Sequence, residues 1–141
     1  MTQTEPPYGI SAVLDLDYEE AVEQTVAALK QQGFGVLTEI DVKATLKKKL
    51  DVDFQRYVIL GACNPPLAYR ALSTERDVGL LLPCNVIVYE NADGTSTVSA
   101  LNPMVAMTVA GNAALEDVAK IATAKLQTAV DHLRASTPAP A

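Results

Sequence analysis

From Gly9 to Leu16 apolar and polar positions alternate, with Ile10, Ala12, Leu14 and Leu16 on one side, the period of a strand with one covered face. The period then changes. Asp17 followed by Glu20 forms a capping box, in which the Asp carboxylate accepts from the first turn of a helix. Ala21, Val22, Val26 and Leu29 recur at helical spacing, and Gly33 suits the left-handed position just past a helix end. Phe34 to Ile40 predicts a second strand, with Phe34, Val36 and Thr38 on one face and Gly35, Leu37 and Glu39 on the other. Asp41 caps a short helix through Leu50, carried by Val42, Leu46 and Leu50.

Tyr57 to Leu60 predicts a strand that ends in Gly61. Pro65 and Pro66 suit the first turn of a short helix over Leu67 to Leu72, because a helix start has no use for the missing N–H. Val78 to Leu82 and Val86 to Glu90 read as two strand segments separated by Pro83-Cys84-Asn85, where proline removes a ladder donor. Asn91-Ala92-Asp93-Gly94 then joins the second segment to Thr95 to Leu101 as a hairpin. Met104 to Ala110 is apolar without a period and fits loop, strand or helix alike. A long helix follows from Asn112, with the stripe Leu115, Val118, Ala119, Ala122, Leu126, Ala129, Val130 and Leu133.

This order predicts an α+β fold, a mainly antiparallel sheet with helices packed on one face. No linker interrupts it, so one domain over residues 8–135 is expected, with flexible, proline-rich ends at 1–7 and 136–141. Charge narrows the partners. With 11 Lys and Arg against 17 Asp and Glu, the net charge of −6 disfavours a phosphate backbone, and Lys43, Lys47, Lys48 and Lys49 read as a solvated helix face. No nucleic-acid partner is expected. Apolar runs are too short for a bilayer, and no signal peptide precedes Tyr8, so the expected location is cytoplasmic, with no membrane partner.

In a reducing compartment the two cysteines are free thiols, a metal or redox feature, or core residues, rather than a permanent staple. They stand in matching settings, Gly61-Ala62-Cys63-Asn64-Pro65-Pro66 and Leu82-Pro83-Cys84-Asn85. Cys63, Cys84, Asn64, Asn85 and Pro83 are therefore the candidate ligand or redox residues. The soft donors for copper or zinc are Cys63, Cys84 and Met104, with Met107 as a second thioether. They form no zinc pattern, having neither a close C-x-x-C pair nor a nearby histidine beyond His132 on the last helix. No catalytic residue is assigned and no cofactor is named. No hydrolase elbow, phosphate loop or zinc-protease motif is present.

Gly33-Phe34-Gly35-Val36-Leu37, Tyr57-Val58-Ile59-Leu60-Gly61-Ala62-Cys63-Asn64-Pro65 and Leu81-Leu82-Pro83-Cys84-Asn85-Val86 resemble the family catalogued as domain of unknown function 302 (DUF302), over about Ile10 to Leu133. The resemblance implies a small domain sometimes grouped with TATA-binding-protein-like folds, usually a homodimer, with no established activity. Cys63 and Cys84 match the cysteines of the family's two runs, and Asn64, Pro65, Pro83 and Asn85 their neighbours. Asn102 departs from the family's Asp-Pro after the hairpin, and an amide supplies an oxygen without charge.

Two functional classes remain open: a homodimeric binding module with a small-molecule site around the cysteines, and a thiol-based redox enzyme or soft-metal protein. A third reading keeps both cysteines as small core hydrophobes.

Overall fold

The computed structural model describes residues 6–137. The ends expected to be flexible lie outside the described residues at 1–5 and 138–141.

The strands are β1 (Gly9–Leu14), β2 (Gly35–Asp41), β3 (Tyr57–Cys63), β4 (Cys84–Glu90) and β5 (Ser96–Leu101). They form one sheet in the order β1-β5-β4-β3-β2, every neighbour antiparallel. The helices are α1 (Tyr18–Gln31), α2 (Val42–Leu50), α3 (Pro65–Thr74), α4 (Pro103–Ala110) and α5 (Glu116–Ser136). The chain is thus α+β, as its pattern predicts.

Local chemistry sets several boundaries. Asp17 accepts from Glu20 N at 2.9 Å to start α1, and Asp41 accepts from Ala44 N at 2.9 Å to start α2. Gly33, at φ +83°, takes the chain out of α1 into the sheet. Asn91 closes the β4–β5 hairpin by donating its backbone N–H to Thr95 O, at 2.8 Å.

The register decides what is inside. Ile10, Ala12, Leu14, Val58, Leu60, Val86, Val88, Val98 and Ala100 share one face, where they meet Ala21, Ala28 and Leu29 of α1 and Leu126, Ala129, Val130 and Leu133 of α5. Val26 is exposed, in contrast to the predicted stripe, and Thr25 is buried instead. Thr25 tolerates that place because its hydroxyl donates to Ala21 O at 2.7 Å. In β2 a register shift between Val36 and Thr38 sends Thr38 to the face opposite Val36, where uninterrupted alternation puts them together.

Two further segments depart from expectation. Val78 to Leu82 is no strand: Arg76–Leu81 is a 3-10 helix, and Val78 points into a second apolar cluster with Leu67, Ala71, Leu115, Val118 and Ala122. A short apolar run has no period of its own, so its packing partner decides. Met104 to Ala110 resolves into α4, capped by Asn102, whose Oδ1 accepts from Met104 N at 3.0 Å. Among the described residues no helix is long and apolar enough to cross a membrane.

Candidate functional site

The second cluster is hollow. Where β3 and β4 meet α3, the 3-10 helix, α4 and α5, a cavity of about 390 Å³ opens, within the range that holds small organic ligands. Its wall contains Cys63, Asn64, Pro83 and Cys84 from the two sequence motifs. Ala68 and Ala71 of α3, Met107 of α4, and Val118, Ala119 and Ala122 of α5 supply much of the rest.

The strand register brings the motifs together. Ala62 on β3 pairs with Cys84 on β4, so Cys63 at one strand end lies beside Cys84 at the start of the next. Both are free thiols and half-buried. Burial pushes the Cys84 thiol up from its ordinary value, and the neighbouring Cys63 adds to the rise. Cys84 is therefore held in its neutral form, the opposite of the lowered pKa that makes a nucleophilic cysteine.

Asn64 is occupied twice in structural roles. Its Oδ1 accepts from Leu67 N at 3.4 Å, capping α3, and its Nδ2 donates to Gln32 O at 3.4 Å, tying that cap to the end of α1. Gly33 allows the approach, since a Cβ there would stand 3.1 Å from Asn64 Nδ2. Pro65 and Pro66 fill the first turn of α3. Pro83 follows a cis peptide and packs its ring over Gly61, where a Cβ would meet Pro83 Cγ at 2.9 Å and also the Thr38 hydroxyl.

Asn85 is not brought to this place. It is exposed, and its register with Gly61 puts it on the other face of the sheet. Met104 does not line the cavity either, while Met107, one turn along α4, does. Among the described residues, no three His, Cys, Asp or Glu side chains gather as a metal set, and no buried side-chain nitrogen or oxygen lacks a hydrogen-bond partner. The cavity thus offers mainly apolar surface and sulfur, with the Asn64 amide already engaged.

Sequence reasoning found the two strand ends and missed the helical walls. The signal for them is modest. Met104 to Ala110 has no polar face, as befits a helix touched on several sides, and Ala68, Ala71, Ala119 and Ala122 place the smallest side chains on helices that converge.

Residues 10–133 match the model of the family described as domain of unknown function DUF302. A crystal structure of an uncharacterized conserved DUF302 protein from Bacillus stearothermophilus is similar at 31% identity and a TM-score of 0.84, covering 92% of this chain and 100% of that one. No curated protein matches the chain. On the extent of that match, the chain belongs to the DUF302 family.

Proposed function

We propose that the chain is a homodimeric binding module that takes an uncharged, apolar small molecule into the cavity beside Cys63 and Cys84. The observation that carries this reading is the cavity itself: about 390 Å³ walled by alanine, leucine, valine, methionine and thiol groups. An apolar occupant gains roughly 25 cal/mol for each Å² it removes from water, whereas a charged one meets no side chain of opposite charge among the lining residues. Free thiols at this place suit a reducing compartment, in keeping with a cytoplasmic protein. Residues 8–135 act as one domain in this reading.

The test uses N-phenyl-1-naphthylamine, a neutral fluorophore that brightens in apolar surroundings. Saturable brightening by the wild-type protein, abolished by Ala68→Leu, which intrudes into the cavity from α3, supports the reading. No saturable signal, or one that Ala68→Leu leaves intact, refutes it.

A second reading rests on one observation, that Cys63, Cys84 and Met107 line the same apolar cavity. Two thiols that release their protons as the metal binds, together with a thioether, are donors for Cu(I) rather than for a hard cation. Anaerobic Cu(I) titration against a chromophoric chelator tests it. A stoichiometric site lost in Cys84→Ser supports it, and competition no better than that of the double cysteine variant refutes it.

A further inference from the structure

The two faces of the sheet differ in what covers them. α1 and α5 close one. The other carries Val13, Ile40, Tyr57, Ile59, Ile87 and Tyr89, and the register fills its remaining described strand positions with Ser, Thr, Asn, Gly, Cys63 and Leu101. An antiparallel sheet with a solvated face normally alternates to charged or strongly polar residues there. None of these strand positions carries a charge, in a chain of net charge −6.

The same surface continues onto α2. Tyr57 and Tyr89 stack at 5.4 Å between ring centroids, and Phe54, just before β3, meets Tyr57 at 6.2 Å. Phe54 lies within the segment that leads from α2 to β3, and its carbonyl accepts from Lys43 Nζ of α2 at 2.8 Å. α2 has nine residues and buries none of them, and Leu50 at its end is 66% exposed. Helices shorter than about 12 residues are marginal without packing, and inside its own chain this one rests only lightly, against β2 and β3.

We propose that a second copy of this chain seats on this surface, open face against open face, with α2 of each copy packed against the other. The inference rests on the homodimer in the reading above and adds where it forms. Three features select a second copy. A twofold contact sets a patch against itself, so it must avoid like charges; the strand positions of this face carry none, and the exposed Lys43, Lys47, Lys48 and Lys49 of α2 must stay at the solvated margin of the contact. Five strands about 4.8 Å apart and six or seven residues long at about 3.3 Å each give a face of about 24 by 20 Å. Two such faces, with α2 added, bury on the order of 1,000 Å² or more, the size a specific interface needs.

Third, the sheet edges are guarded against the alternative of strand pairing. On β1, Arg134 Nη2 donates to Ser11 O at 2.6 Å. On β2, the bulge and the side chains of Glu39 and Asp41 interrupt the edge.

Light scattering after gel filtration at micromolar concentration tests the proposal on the full chain. The expected result is twice the chain mass for the wild type and for Leu80→Glu, a residue 89% exposed in the 3-10 helix away from this face. Ile40→Glu with Leu50→Glu should give the single-chain mass with an unchanged circular dichroism spectrum. Leu50→Glu alone disturbs no buried residue, so it reads the interface even where the double variant misfolds, and should weaken association at least tenfold. A wild-type monomer overturns both the homodimer and this surface. A dimer that withstands Leu50→Glu and the double variant overturns the surface and leaves the homodimer standing.

Discussion

The two apolar clusters are built from the same alphabet of Ala, Val and Leu, yet one is filled and the other is hollow. In the larger, strand side chains at period two meet long helices whose stripes run the length of the sheet. Leu14, Leu60, Val88, Val98 and Leu126 are completely or almost completely out of solvent there. In the smaller, a 3-10 helix and the short α3 and α4 turn Val78, Leu67, Ala71 and Met107 inward against α5, and space remains. Continuous elements can interdigitate along their length, whereas short ones fix their ends and leave the middle to side-chain size. The chain spends its long elements on stability and its short ones around the cysteines.

The sharpest way to break this contrast is to truncate one leucine in each cluster. Leu60→Ala, at a site wholly inside on the central strands, should cost about 3–5 kcal/mol by urea unfolding, and Leu67→Ala, whose side chain already borders empty space, about 2 kcal/mol. Equal costs would show that the second cluster is packed as well as the first.

Next in size is Gly61→Ala. The new methyl runs into the Thr38 hydroxyl and the Pro83 ring, and Pro83 cannot swing aside as a long side chain can. A loss of about 1–3 kcal/mol is expected, and Thr38→Ala in the same chain should recover part of it. No recovery would mean that the proline ring alone sets the limit.

The smallest effect is a dependence on pH. Cys84 holds its proton more tightly in the fold than in the unfolded chain, because burial disfavours the thiolate. Between the ordinary value of 9.0 and the raised folded value, the unfolded state is ionised and the native state is not. Its contribution is thus fully present below pH 9.0 and is lost as pH rises through the folded value. Urea midpoints from neutral to alkaline pH should fall more steeply for the wild type than for Cys84→Ala. Parallel curves would show that Cys84 is as hydrated as in the unfolded chain.

Much of the larger cluster was legible because its cues are local. Asp17 and Asp41 cap the helices they precede, Gly33 ends α1, and Asn91 to Gly94 turns the hairpin. What failed depended on distant partners. Val26 and Thr25 are adjacent on α1, and only the seating of that helix on the sheet decides that the polar one goes in. The run from Val78 to Leu82 has strand-like composition but is drawn into a 3-10 helix by the apolar cluster around Leu115 and Val118. At the site, the cysteines were visible as repeated motifs, and the register brought them together. The exclusion of Asn85 and the exchange of Met104 for Met107 follow from strand parity and from one helical turn, which motif spacing does not encode.

The strand order also imposes a schedule on biosynthesis. β1 comes before the other four described strands in the chain yet has its ladder partner in β5, and the guanidinium that ties down its outer edge belongs to Arg134. Ile10, Ala12 and Leu14 therefore stay short of their cover until β5 and α5 have been made. Pairings so far apart in sequence close slowly. A nascent chain that stops short of β5 leaves the apolar side of β1 bare, a surface that favours aggregation over folding.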